Sequence, residues 1–222
     1  MTAVTAVTIA SGQWSRPNPA ADGDGSRTED QQELTATGLD VCGHGVGAAL
    51  LSVSVMNVLR NRSVPNVNFA DPGAVLAALN QAFPMERQNN MFFTLWYGVL
   101  ATETRELAFA CGGHPPAVLL PPGEPVPQPL RADGAIVGAF PETAYSTNRR
   151  TVAPGSRLYV FSDGIFELAR RDGSTVQLEE FVAELARPAM DSKLDHILTW
   201  AAGIRAGAEF EDDVSLVELR LL

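Results

Sequence analysis

The sequence is short of positive charge, of cysteine and of long apolar runs, and each shortage narrows what the chain can be. Lys and Arg number 16 against 26 Asp and Glu, a formal net charge of −10. A protein that grips a nucleic-acid backbone needs clustered Lys and Arg, so this balance argues against that class. The two cysteines, Cys42 and Cys111, fall in neither a paired metal nor a redox spacing, which reads as a reduced, cytoplasmic protein. The most apolar run, Val46 to Leu59, carries Ser52, Ser54 and Asn57, and it is well short of the roughly 20 residues that span a bilayer. The opening "MTAVTAVTIASG" has no basic start before its apolar residues, so it does not read as a secretory signal. What is present is ordinary in amount: 45% apolar residues over 222 positions suffice for one domain with a sizeable core.

The pattern along the chain is uneven. Between Ser11 and Thr37, "SGQWSRPNPAADGDGSRTEDQQELTAT" holds Pro, Gly, Asp and Gln where apolar residues would be, with no period of two or 3.6. It reads as an atypical, flexible N-terminal segment, residues 1–37, ahead of a compact domain over 38–222. Val46 to Arg60 reads as a helix apolar nearly all round, and hence buried on most faces. Asp71-Pro72 is a helix start, a capping side chain followed by proline in the first turn, and Val75 to Phe83 continues it. "MFFTLWYGVLATETRELAFACGG" reads as a hairpin about the polar turn Thr102 to Arg105, and "PPAVLLP" as a further short strand. "STNRRTVAPGSRLYVFSDG" gives two strands joined at Pro154-Gly155. Helices near Leu178 to Arg187 and Ser192 to Ile204, then a strand in "DDVSLVELRLL", close the chain. Runs of strands and runs of helices with hairpin-length connections predict an α+β domain with mostly antiparallel sheets.

Acids recur at predicted strand ends. Asp40 closes the run before "VCGHG", Asp163 ends "RLYVFSDG", and Asp212 and Asp213 open the last strand. Carboxylates converging from separate segments suit a hard cation such as Mg²⁺ or Mn²⁺, which takes a few carboxylates and several waters. Zinc fits less well, because two unpaired cysteines and three scattered histidines offer no closed site. An aspartate beside a glycine is by itself more often a turn residue. His44 and His114 each sit in a glycine-containing turn, where a ring bonded to its own loop is as good a reading as a catalytic one. Cys42 has no clear general base paired with it, so it reads as a small packed residue.

These residues also carry a resemblance. "DVCGHGVGAALLSVSVMNVLR", "FFTLWYGVLATETRELAFACGGHPPAVLL", "VGAFPETAYS", "APGSRLYVFSDGIFEL" and "DDVSLVELRL" occur in the order found in the SpoIIE/RsbU-like branch of the PPM metal-dependent protein serine/threonine phosphatases. The resemblance covers about Leu39 to Leu222. It implies a four-layer αββα sandwich with a metal centre at one edge between two sheets. By the same resemblance Asp40 is the bridging metal carboxylate, and the carbonyl of Val41 completes its coordination. Asp163 and Asp212 are the other metal acids, with Asp213 ranked below Asp212. Cys42 stands where the resembling proteins usually have Ser. The implied reaction is hydrolysis of phosphoserine or phosphothreonine with two Mn²⁺ or Mg²⁺ ions. The implied partner is a phosphorylated regulatory protein of the anti-sigma antagonist type.

One expected feature has no clear counterpart. The family places a further acid on a "GGD"-like turn before an apolar strand pair that leads into the "DV" segment. Here the region reads "PAADGDGSRTEDQQELTATGL", with a single large apolar residue from Ser26 to Thr37. Asp22 is the candidate replacement ligand. The competing expectation is a phosphatase-like binding or regulatory module, catalytically impaired because its upstream metal motif is absent.

Overall fold

A computed structural model describes residues 4–10, 33–43, 45–123, 126–187, 192–207 and 210–222. Asp22, Asp24 and His44, and most of the segment read as flexible, lie outside the described residues. The described strands are β1 (Val4–Ala10), β2 (Glu33–Val41), β3 (Phe93–Ala101), β4 (Glu106–Gly112), β5 (Ala117–Leu120), β6 (Gln128–Leu130), β7 (Asn148–Thr151), β8 (Ser156–Phe161) and β9 (Val214–Leu221). The helices are α1 (Val46–Asn61), α2 (Pro72–Ala82), α3 (Leu178–Ala186) and α4 (Lys193–Ile204).

The strands form two sheets, ordered β1-β9-β8-β5-β6 and β2-β3-β4-β7. Every described pairing is antiparallel except β1 with β9. Three separate apolar clusters show how the sheets and helices stack. One lies between the sheets, with Trp96, Phe109, Leu119, Leu158, Val160 and Leu219 among its members. A second joins Leu51, Val55, Leu76 and Leu79 of α1 and α2 to Leu95, Tyr97 and Val99 of β3. The third joins Phe181, Leu185, Ile197 and Ala201 of α3 and α4 to Tyr159, Phe161 and Leu216. Three interlayer cores mean four layers, an αββα sandwich, as the resemblance implied.

Local chemistry accounts for the element boundaries. Asp71 caps α2 by accepting from the Ala74 N–H at 3.4 Å, and Pro72 occupies the first turn. The Asp71 carboxylate also accepts from the Thr147 hydroxyl. The Glu180 carboxylate accepts from the Gln177 N–H at 3.1 Å, half of a capping box that starts α3. The Ser192 hydroxyl accepts from the Asp195 N–H at 3.3 Å at the head of α4. The β3–β4 turn spans Thr102 to Arg105, as its polar sequence predicts, and the Arg105 backbone there has φ 58°.

Three elements depart from the sequence reading. The strand β2 begins at Glu33, so the regular domain starts before the boundary drawn at residue 38. It carries little apolar bulk, but Glu33 through Val41 pair in continuous register with Ala101 through Phe93, and Ala36 is buried. Pairing with a fully formed neighbour, rather than its own pattern, makes it a strand. Val4–Ala10 adds an edge strand alongside β9. Helix α1 is not buried all round. Leu51, Val55 and Leu59 face the sheet, while Val46, Leu50, Val53 and Met56 are exposed, because α1 covers one sheet face and no described residue covers its outer side.

Gly38 sets how closely the two sheets approach near the end of β2. A Cβ built there would stand 2.6 Å from His114 Cε1 and 2.8 Å from Val160 Cγ1. The His114 ring is buried and tied by Nδ1 to the Pro115 carbonyl at 2.9 Å, so it cannot easily yield. Gly38→Ala is therefore expected to cost about 1–3 kcal/mol of stability by overpacking. A lower urea midpoint checks this, and an unchanged one contradicts it.

Candidate metal centre

The site forms where strands from both sheets end at one edge of the sandwich. Asp40 is the penultimate residue of β2, opposite Thr94 of β3. Asp163 follows β8 and opens a tight 3-10 turn through Ile165, and Asp212 and Asp213 precede β9. A serine holds the last two segments together. The Ser162 hydroxyl donates to the Asp213 carbonyl at 3.0 Å and accepts from the Ser215 N–H at 2.8 Å. Gly164 completes the approach, because a Cβ there would stand 2.6 Å from the Asp213 carbonyl oxygen. The "SDG" and "DDVS" motifs are thus two halves of one latch.

The electrostatics record the convergence. Burial pushes the Asp40 carboxyl above its ordinary 3.8, and the neighbouring charges of Asp163 and Asp212 push it further. A hydrogen bond from the Val41 backbone opposes this in part. Glu167 is raised in the same way, by burial first and then by Asp163 and Asp212. Among the described residues no Lys or Arg makes an ion pair with Asp40, Asp163, Glu167 or Asp212. Like-charged carboxylates without a cationic partner raise one another's pKa and destabilise the fold that assembles them.

Asp163, Glu167 and Asp212 line an open cavity of about 240 Å³, with Glu211, Arg205 and Phe210 on its walls. The donor set is carboxylate oxygen throughout, which fits a hard divalent cation. Among the described residues, no group of three or more His, Cys, Asp or Glu side chains could by itself hold an ion. Any ion held here would therefore have to keep several of its own waters.

Asp40, Asp163 and Asp212 are thus brought together, with the Val41 backbone beside them, while Asp22 lies outside the described residues. His114 is buried, and its Nδ1 faces the Pro115 carbonyl, which can only accept; the proton therefore sits on Nδ1. Burial lowers its pKa, which keeps the ring neutral. Cys42 is exposed, and its backbone N–H donates to the Phe92 carbonyl at 3.0 Å. The sequence reading missed Glu167 and Arg205. Glu167 was reachable: its N–H bonds the Asp163 carbonyl at 2.8 Å, a single turn that returns the next acid to the same cavity. Arg205 had no local signal.

The two-sheet sandwich is the fold of solved PP2C domains. Residues 30–222 match the family described as Stage II sporulation protein E (SpoIIE), and the chain belongs to that family. It is similar to the SiaA-PP2C domain of Pseudomonas aeruginosa at 19% identity and a TM-score of 0.70, over 85% of this chain and 80% of that one. The RsbU and RsbW domains of Rv1364c from Mycobacterium tuberculosis match at 20% identity and a TM-score of 0.65, over 83% of this chain and 50% of theirs. The phosphatase domain and regulatory fragment of SpoIIE from Bacillus subtilis match at 16% identity and a TM-score of 0.68, over 83% and 53%. At these identities the likeness is one of fold. Protein IcfG of Synechocystis sp. is 27% identical over 150 residues, which are 57% of this chain and 24% of IcfG, so the chain spans about a quarter of that relative.

The raised carboxyl of Asp40 has a consequence for stability. Between its ordinary 3.8 and its raised folded value, the folded protein holds a proton that the unfolded chain has released. Without divalent cation, stability therefore falls as pH rises through that window and stays lower above it. Asp40→Asn removes this dependence. In chelator at neutral pH the variant is expected to melt higher than wild type, with a flatter pH profile; equal or lower melting contradicts the electrostatic account.

Proposed function

We propose that the chain is a metal-dependent protein serine/threonine phosphatase that removes phosphate from a phosphorylated regulatory protein in the cytoplasm. The observation that carries the reading is the convergence of Asp40, Asp163 and Asp212 from both sheets on one edge, with no ion-paired Lys or Arg among the described residues. Asp40, Asp163 and Asp212 would hold Mn²⁺ or Mg²⁺ with the Val41 carbonyl, and Glu167 stands close enough to share the task. When bound, two such ions supply Lewis acidity that makes water a nucleophile at neutral pH and offsets charge on the phosphoryl oxygens. Ser162 and Gly164 fix the spacing of Asp163 and Asp212, so the carboxylates are placed before substrate arrives. Buried His114, tied to its own loop, orients that loop and is not needed as a nucleophile's base. Two neighbours support the metal and the partner class: RsbX was crystallised with magnesium, and the Rv1364c structure contains RsbU and RsbW domains.

The competing reading is a binding module of the same fold without turnover. It is favoured by the lack of any three-ligand group among the described residues and by the weak upstream motif at Asp22. Turnover separates the two. Phosphate release from a phosphoserine peptide should require Mn²⁺ or Mg²⁺ and stop on chelation. Asp163→Asn should lower kcat/KM about a thousand-fold, because several kcal/mol of charge stabilisation are lost. Release that persists in excess chelator, or survives the substitution, contradicts the phosphatase reading. Absence of release in wild type favours the binding module.

A further inference from the structure

We propose that Arg205 is the phosphate-binding residue of this cavity, its guanidinium receiving the dianionic phosphoryl group beside the carboxylate cluster. The assignment rests on the phosphatase reading of the same site. Three observations converge on Arg205. Its Nε is, among the described residues, the sole buried side-chain nitrogen or oxygen without a hydrogen-bond partner. It lines the cavity formed by Asp163, Glu167, Glu211 and Asp212 yet makes no ion pair with any of them. Its guanidinium lies over the Phe210 ring, 4.6 Å from the centroid, which fixes the plane of the group without using its N–H donors.

The backbone holds Arg205 just as firmly. It caps the end of α4, its N–H donating to the Ala201 carbonyl at 3.2 Å, and it bridges to Arg170. The next residue, Ala206, donates to the Ala169 carbonyl at 2.8 Å. Arg170 itself is committed to Glu180 at 2.6 Å, so of these two arginines Arg205 is the one left to serve the cavity.

A buried, desolvated donor is costly to leave unpaired, and native proteins rarely do so unless something else completes it. An acceptor that enters the cavity would complete it. The carboxylates on the same cavity wall, Asp163, Glu167, Glu211 and Asp212, make no ion pair with Arg205. A phosphoryl group offers what the fork requires, several strong acceptor oxygens in a geometry that takes two parallel N–H bonds. Cations held by the carboxylates would draw that same group toward Arg205, so an acidic cavity with one unpaired guanidinium is consistent with an anionic substrate rather than opposed to it. The same chemistry is met by a phosphorylated side chain or by free inorganic phosphate.

The test uses the full chain with saturating Mg²⁺. Inorganic phosphate and a phosphoserine peptide are titrated by calorimetry into wild type, Arg205→Ala, Arg205→Gln and Arg205→Lys, and p-nitrophenyl phosphate hydrolysis is followed alongside. Arg205→Ala should weaken both ligands roughly ten- to hundred-fold, the loss of a charge-assisted hydrogen bond. Arg205→Lys should fall between, and Mg²⁺ affinity should be unchanged. The glutamine variant keeps most of the side-chain volume, so it separates lost binding from lost folding. Wild-type binding that depends on Arg205 without any hydrolysis would keep this assignment and remove the phosphatase reading. Unchanged phosphate affinity in Arg205→Ala and Arg205→Gln overturns the assignment while leaving the phosphatase reading intact. Loss of peptide binding alone, with inorganic phosphate unaffected, also overturns it, since the arginine would then read the peptide. So does a wild type that binds neither ligand.

Discussion

Mutual repulsion among carboxylates is the constraint on which this structure turns. Burial raises the Asp40 carboxyl and the nearby charges of Asp163 and Asp212 raise it further, Glu167 is raised in the same way, and no basic side chain among the described residues offsets them with an ion pair. Such a cluster opposes folding, so it must be enforced by everything around it. The enforcement is apolar and geometric. Three cores lock four layers in place, and two glycines and a serine then narrow the last gaps: Gly38 between sheets, Gly164 against Asp213, and Ser162 across both loops. The cation would convert this liability into binding energy, which is the usual relation between a functional site and the fold that carries it.

The sandwich divides its labour accordingly. The layer between the sheets supplies rigidity, with Trp96 stacked on Phe109 at 6.0 Å and its Nε1 donating to the Leu130 carbonyl at 3.4 Å. Buried polar groups away from the site are paired: Glu218 takes the Tyr159 hydroxyl at 2.9 Å and Arg220 at 2.7 Å, and Glu184 takes Arg187 at 3.0 Å and His196 at 2.7 Å. Among the described residues, uncompensated charge and the one unpaired buried donor, Arg205 Nε, thus lie at one edge, as functional sites tend to do. The exposed stripe Val46, Leu50, Val53 and Met56 lies on the helix that directly follows the Asp40 loop, on the face turned from the sheet.

Much of this was legible in the sequence where local chemistry decides structure. The Asp71-Pro72 start, the Thr102–Arg105 hairpin and the acids at strand ends were readable because caps, turns and alternation are short-range signals. The first half of β2 was not, since "ELTAT" becomes a strand only by pairing with β3. β6, with Pro129 at its centre, has no strand pattern to read. The outer face of α1 was misjudged because composition cannot say how many layers will cover a helix. Asp40, Asp163 and Asp212 were singled out through motif order and lie near one another, while Arg205 meets the cavity only because α4 ends beside the 3-10 turn, a fact of tertiary structure alone.

The most direct test of the central claim is calorimetric titration of Mg²⁺ and Mn²⁺ into the chelator-stripped protein, compared with Asp163→Asn. If the acidic edge is built for a cation, wild type should bind saturably, and the variant should lose most of the affinity. Absence of saturable binding, or equal binding by the variant, would mean the carboxylates converge for some other reason.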